Sequence, residues 1–322
     1  MKVFENISLK EYNTFGIDVK ARRMIVLEPG DEVPMLEGEV LVIGGGSNML
    51  FTKDFDGTVI TLSHSATQPL SHSATLVSAW GGMVMDDLIQ WSLDNGLYGL
   101  ENLSAIPGSV GASAVQNVGA YGAEAKDFIE SVEAYDLLER LHCTFSNADC
   151  RFAYRDSLFK HHPGRYLILR VTYRLNREFV PNLGYKALEG LPHDSAQQLR
   201  DAIADLRWQK LPHPEQHGSA GSFFKNPVVD EGTYQLLKQE YPDMPDAHPT
   251  AEGYKLSAGW LIDRAGWKGK TQGGAGVWPK NALVLYNAGG CTGHEVVALA
   301  RAIQQDVKQK FGVALDPEAI II

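Results

Sequence analysis

Three glycine-rich turns lie in the first half of the chain: Gly44-Gly45-Gly46-Ser47-Asn48, Pro107-Gly108-Ser109-Val110-Gly111-Ala112 and Asn117-Val118-Gly119-Ala120-Tyr121-Gly122. Glycine lets main-chain N–H groups come close to an anionic oxygen, and Ser or Asn side chains add donors beside them. A single turn of this kind is explained by a tight bend. Three in one β-rich stretch fit a pyrophosphate threaded between two lobes. None has the spacing of a dinucleotide fingerprint, because Gly44-Gly45-Gly46 leads to Phe51-Thr52-Lys53-Asp54-Phe55 and a further strand rather than to a long helix. No Gly-x-x-x-x-Gly-Lys-Ser/Thr loop occurs, so nucleotide hydrolysis is not indicated.

Other reactive residue types are scattered. Arg155 sits in Tyr154-Arg155-Asp156, where a local ion pair with Asp156 competes with binding of an outside anion. Ser222, between Gly221 and Phe223, reads by itself as a turn residue, and no Gly-x-Ser-x-Gly elbow surrounds it. Glu318 follows Pro317 just before Ile320-Ile321-Ile322 and reads by itself as a solvated carboxylate. The 10 histidines show no metal-binding spacing, and Cys143, Cys150 and Cys291 form no Cys-x-x-Cys pair, so no metal is expected.

The elements that must carry these residues are short. Val40–Ile43, Thr58–Leu62, Thr75–Trp80 and Tyr166–Leu175 read as strands. Met85–Asp94 reads as a helix, with Met85, Leu88, Ile89 and Leu93 on one face and Asn95-Gly96 as its stop. Leu62-Ser-His-Ser-Ala-Thr recurs at Leu70, which suggests a polar loop between strands rather than a repeat architecture. From Asn176 to Ser195 the chain reads as a long loop, followed by a helix from Ser195 to Lys210 that Leu211-Pro212 stops. Further helices are predicted near Gly232–Glu240 and Ser257–Ala265, with a strand at Ala282–Tyr286. The last helix begins at Thr292 with Glu295 closing a capping box, carries Val296, Ala300, Ile303, Val307 and Phe311 on one face, and ends at Gly312. Val313–Leu315 is read as a short strand after it.

At 322 residues the chain is long enough for about two domains. Its 29 Lys+Arg against 39 Asp+Glu give −10, which argues against non-specific binding to nucleic acid or to an anionic membrane. No apolar run reaches the ~20 residues of a membrane span, and no apolar signal core follows Met1. With only 3 scattered cysteines, a cytoplasmic protein with reduced thiols is expected.

Several motifs in order resemble those of the UDP-N-acetylenolpyruvoylglucosamine reductases: Asn13-Thr14-Phe15-Gly16, Gly44-x-Gly46-Ser47-Asn48, Pro107-Gly108-x-Val110-Gly111, Gln116-Asn117-x-Gly119-Ala120-Tyr121-Gly122, Tyr154-Arg155-Asp156-Ser157-x-Phe159-Lys160 and Ala220–Pro227. The resemblance spans Tyr12 to Glu318 and is to the longer subtype, which carries a tyrosine on an extended loop. It implies an α+β fold: a two-lobed FAD-binding domain of the vanillyl-alcohol-oxidase type over 1–205, with lobes of about 1–62 and 63–205, and a smaller α+β substrate-binding domain over 206–322 whose last strand, 313–322, returns to the flavin. The implied reaction is NADPH-driven, FAD-dependent reduction of an enolpyruvyl ether on a UDP-sugar to the lactyl ether of UDP-N-acetylmuramate, a peptidoglycan precursor.

By this resemblance Arg155 steadies the substrate carboxylate, Ser222 gives a proton to the enolate, and Glu318 stabilises the enol or relays its proton. The flavin is held by Gly44, Gly45, Gly46, Ser47, Asn48, Pro107, Gly108, Ser109, Gly111, Ala112, Asn117, Gly119, Tyr121 and Gly122. Tyr185 closes over the diphosphate as a lid, and Arg207, Lys210, Asn226 and Lys255 face the UDP portion. A monomer with small-molecule partners is expected. Two departures stand out: Ala114 where the family commonly has Pro, and Ile320 where a basic residue often follows the glutamate. Two other readings compete: an FAD oxidase of a sugar or alcohol on the same cofactor fold, and a non-catalytic nucleotide-sugar binding protein. The first leaves Gly221–Pro227 unexplained, and a colourless protein unable to take up FAD would favour the second.

Overall fold

The computed structural model describes residues 1–66 and 70–322. The first copy of the duplicated hexapeptide ends at residue 67, so the polar loop expected there lies partly outside the described residues. The chain divides into two compact units. One comprises Met1–Ile7, Lys20–Gly46 and Phe55–Arg207, and the other Ser8–Val19, Ser47–Asp54 and Trp208–Ile322.

The first unit is built on two sheets. In the four-stranded sheet, Phe55–Leu62 runs parallel to both Lys20–Leu27 and Val40–Ile43, and Lys2–Ser8 lies at the edge beyond Lys20–Leu27. Phe55–Leu62 is buried at nearly every position, as a central strand covered on both faces must be. The five-stranded antiparallel sheet has the order Leu141–Ser146, Ile129–Asp136, Tyr166–Arg174, Leu76–Trp80, Ser71–His72. Helix α1 (Met85–Asp94) buries Met85, Leu88 and Ile89 in a core that also takes Ile25, Ile60, Val77 and Val171 from both sheets. Helix α2 (Val110–Gln116) and helix α3 (Ala196–Lys210) follow.

Several elements differ from the sequence reading. Residues 110–116 form α2 rather than a turn, with Ser109 capping its start and Asn117 (φ +43°) its end. The run Val110-Gly111-Ala112-Ser113 lacks an apolar stripe, so periodicity does not reveal it. The hairpin Ile129–Asp136/Leu141–Ser146 went unread because its outer strand alternates only half-buried and exposed positions. Val313–Leu315 is not a strand; the residues that pair are Ile320–Ile321, parallel to Met49–Leu50. The cysteines are free, and burial pushes the Cys150 thiol up to about 12 and Cys291 to about 11, as packing residues.

The second unit contains helix α4 (Glu231–Glu240), helix α5 (Ala258–Arg264) and helix α6 (Gly293–Phe311). Its main sheet has the order Ser219–Ser222, Val284–Asn287, Ala275–Val277, Thr271–Gln272, with α6 burying Val296, Leu299, Ile303 and Val307. Thr292 and Glu295 close the capping box at the start of α6, and Gly312 (φ +70°) ends it.

The Asn13-Thr14-Phe15-Gly16 segment is a polar knot in this unit. The buried Asn13 amide donates to Leu9 O (2.7 Å) and Ile17 O (3.0 Å) and accepts from Ile17 N (3.0 Å). Thr14 Oγ1 then donates to Ser219 O at 2.6 Å, and Asn287 Nδ2 to Phe15 O at 3.0 Å, which seats the strand leading to Ser222. Replacing Asn13 by Ala strands three backbone groups in the core. Asn13→Ala is expected to lower stability by about 3 kcal/mol, read as a fall in the thermal unfolding midpoint of the holoprotein.

Candidate active site

In the first unit the glycine turns meet almost backbone to backbone. A Cβ on Gly44 would lie 2.8 Å from Ser109 Oγ and 3.2 Å from Ala112 Cβ, and one on Gly45 would lie 3.6 Å from Gly108 Cα. Gly108 (φ +143°) and Gly46 (φ +62°) hold conformations that favour glycine. One on Gly111 would lie 3.1 Å from Gly81 O. The N–H groups of Val110, Gly111 and Ala112 are taken up by Met83 O, Gly81 O and Ser109 Oγ, so it is the main chain of Gly44–Gly45 and Gly108 that suits a diphosphate. The residues present therefore fit the adenine-dinucleotide part of FAD.

The third turn supports a cluster of charged and phenolic side chains. Asn117 donates to Ala153 O (2.9 Å) and Glu124 Oε2 (3.3 Å) and accepts from Lys126 N (3.0 Å). It thereby ties the end of α2 to the Tyr154–Ser157 bend. There Arg155 has φ +54° and donates from Nη2 to Gly119 O at 2.6 Å. Lys160 Nζ holds the same bend by donating to Arg155 O (2.8 Å) and Gln116 Oε1 (2.9 Å). Asp156 accepts from His161 at 2.7 Å.

Arg207, on α3, donates from Nε to Ala105 O at 3.2 Å, and its guanidinium hydrogen-bonds the Tyr121 hydroxyl. Burial lowers the Arg207 pKa, against the opposing pull of Tyr121 and Asp86, and Arg155 adds a smaller lowering. Burial raises the Tyr121 pKa, against the pull of Arg207, which favours the neutral phenol. The Tyr185 ring packs edge-on to Tyr121 with centroids 5.7 Å apart. Gly122 lies under this pair: a Cβ there would be 3.8 Å from Tyr185 Cβ. Arg155, Arg207, Tyr121 and Tyr185 thus converge on the turn at Gly119–Gly122.

In the second unit Ser222, Glu318 and Asn48 are brought together. Ser222 follows Gly221 (φ +66°) and pairs with Val284. Glu318 N donates to Phe223 O at 2.7 Å, Lys225 N to Asp316 O at 2.9 Å, and Asn48 Nδ2 to Glu318 O at 3.2 Å. The terminal strand therefore lies beside the Ser222–Phe224 segment and beside the Ser47-Asn48 end of the first glycine turn. Ser222 and Glu318 are both half-buried.

Asn226 and Lys255 lie on a neighbouring ribbon, where Val228 pairs with Lys255 and the Asn226 Oδ1 accepts from Ala258 N at 3.0 Å. Lys210 sits exposed at the end of α3. Sequence reasoning missed Asn102, whose amide reaches Tyr121 O and Asn182 O, both at 2.9 Å. A lone Asn in Glu101-Asn102-Leu103 gives no signal of that kind.

Residues 36–140, which carry the glycine seam of this α+β fold, match the FAD binding domain profile, that of a flavin-binding protein. Residues 213–322 match the profile of the C-terminal domain of UDP-N-acetylenolpyruvoylglucosamine reductase. The reductase of that name from Pseudomonas aeruginosa is 46% identical over 336 aligned residues, covering 99% of this chain and 98% of its own. Those of Pseudomonas putida (46% identical; 98% and 97% covered) and Burkholderia ambifaria (42% identical; 98% and 95% covered) are similar as well. The crystal structure of UDP-N-acetylenolpyruvylglucosamine reductase (MurB) from Thermus caldophilus shares the fold, with a TM-score of 0.71 at 24% identity over 100% of this chain and 99% of that one. The chain belongs to the UDP-N-acetylenolpyruvoylglucosamine reductase family, whose members use FAD and NADPH.

A methyl group at Gly44 has nowhere to go without displacing Ser109 and Ala112. Gly44→Ala is expected to lower flavin retention at least about tenfold. The flavin absorbance per chain after gel filtration checks this.

Proposed function

We propose that the chain reduces UDP-N-acetylglucosamine enolpyruvate to UDP-N-acetylmuramate with FAD and NADPH, feeding peptidoglycan synthesis and through it cell shape and division. The observation that carries this reading is the convergence of Arg155 and Arg207 beside the Tyr121 hydroxyl on the Gly119–Gly122 turn. A guanidinium desolvated by burial, with a second one bonded to the same turn, suits an anion, and the substrate offers a carboxylate and a diphosphate.

Held by the glycine turns and reduced by NADPH, FAD would supply the hydride for the enolpyruvyl group. The protein's task is to hold the substrate and to manage charge and one proton. Arg155 offers a forked donor to the enolpyruvyl carboxylate, where negative charge gathers as the enolate forms. Its left-handed backbone and its bond to Gly119 O fix the guanidinium before substrate arrives. Ser222 Oγ delivers a proton to the α-carbon of that enolate, and Glu318 steadies the enol or relays the proton.

Both of the latter rest on main chain that the Phe223–Glu318 bond holds in place. Gly44, Gly45, Gly46, Ser47, Asn48, Pro107, Gly108, Ser109, Gly111, Ala112, Asn117, Gly119, Tyr121 and Gly122 hold the FAD. Tyr185, Arg207, Lys210, Asn226 and Lys255 hold the UDP portion. In this reading residues 1–205 serve the flavin and 206–322 the substrate. The enzyme acts as a cytoplasmic monomer on small molecules, without nucleic acid or membrane, in keeping with its charge of −10.

Rapid mixing that follows the flavin absorbance separates the two half-reactions. Ser222→Ala is expected to accept electrons from NADPH at the parental rate and to pass them to the enolpyruvyl UDP-sugar about 10²–10⁴-fold more slowly. Equal loss in both half-reactions overturns the proton-donor role. Arg155→Lys keeps a positive charge but loses the fork, and should slow the second half-reaction by about 10²–10³.

A further inference from the structure

The stretch from residue 176 to 195, which carries Tyr185, has little regular structure, yet it is anchored firmly. Its Leu188 packs with Leu199 and Ile203 of α3, and Tyr121, Leu183 and Leu191 pack around them. The polar counterpart of this anchor is Asn102, which is 2% exposed. It lies in the short 3₁₀ turn Glu101–Leu103, where the Glu101 carboxylate accepts from Gly99 N (3.0 and 2.9 Å) and Ser104 Oγ donates to Glu101 O (2.6 Å). From this rigid base the Asn102 amide donates to Tyr121 O and to Asn182 O, each at 2.9 Å.

We infer that Asn102 is a positioning residue that sets the Tyr121–Tyr185 pair for the UDP-sugar by pinning the roots of both loops to one side chain. The inference rests on the reading of Tyr185 as the residue that covers the substrate. Tyr121 (φ +49°) and Gly122 (φ +82°) are consecutive left-handed residues, a conformation that persists only when its surroundings hold it. The bond to Tyr121 O supplies one such hold. Asn182 closes the ring of contacts from the other side, donating to Gly122 O at 3.4 Å and accepting from Gly184 N at 3.4 Å. The requirement is chemically narrow: a side-chain amide carries two N–H groups for two carbonyls, a hydroxyl carries one, and a carboxylate none. With its root pinned at Asn182, Tyr185 moves about a fixed point three residues away instead of with the whole segment.

A double-mutant cycle on the holoenzyme tests this, reading the KM for the enolpyruvyl UDP-sugar, the flavin content and the rate of flavin reduction at saturating NADPH. Asn102→Ala is expected to raise KM about tenfold, with flavin content and the reduction rate, which the Tyr121–Gly122 turn also serves, falling by less than that factor. Tyr185→Ala alone is expected to raise KM, and adding Asn102→Ala to it should change KM no further. Two results overturn the inference: an unchanged KM in Asn102→Ala, or a full additional rise in the double variant, which would show that Asn102 acts elsewhere. An unchanged KM in Tyr185→Ala alone instead overturns the substrate role of Tyr185. Should Asn102→Ala fail to accumulate as a folded flavoprotein, Asn102→Ser carries the same cycle. With one donor for two carbonyls, its KM is expected between those of the parent and Tyr185→Ala, and an unchanged KM overturns the inference.

Discussion

The first unit depends on a place where side chains are missing. Gly44 and Gly45 face Ser109, Ala112 and Gly108, and Gly111 faces Gly81, so two loops and a helix start approach at main-chain distance. Close packing leaves no slack there, because a single methyl group would have to displace neighbours that belong to the cradle itself. What the glycines lose in chain entropy is offset by closeness, since residues with larger side chains would hold these turns apart. The same turns bring Asn117 to Ala153, and through it the Arg155 bend to Gly119. Glycine seam and charged cluster are thus two uses of one backbone.

Electrostatics in that cluster is arranged by burial rather than by ion pairs alone. Arg207 is partly desolvated and Tyr121 is kept neutral by the same burial, so the phenol acts as a donor or acceptor beside a fixed cation. Arg155 is bonded to the same turn through Gly119 O. Positive charge concentrated in a half-buried place is costly without a ligand, and a bound anion repays it. That is the physical basis for reading the cluster as a substrate site.

How much of this was written in the sequence differs by element. Helix α6 was legible to the residue, since Thr292, Glu295 and Gly312 are strong local signals that nothing in the tertiary structure overrides. The strand beneath Gly44 was legible for the same reason. Helix α2 was not, because its seven residues are small and carry no stripe; only its caps, Ser109 and Asn117, mark it. Arg155, Ser222 and Glu318 are ordinary residues locally, and motif resemblance rather than spacing selected them. Asn102 was invisible, since its importance lies in carbonyls 19 and 80 residues away that no local pattern encodes. The terminal strand was misplaced because its pairing partner, Met49–Leu50, is likewise distant in sequence.

That distant pairing has a consequence for biosynthesis. Asn48 and Thr52 bond to Glu318 and Ile322 across 270 residues. A ribosome adding about 5–20 residues per second needs roughly 15–50 s to cover that span. For that interval the Met49–Leu50 strand edge has no partner from its own chain. The nascent protein must therefore carry an open β-edge until Ile320–Ile321 has been made, and that strand acts as the latch that closes it.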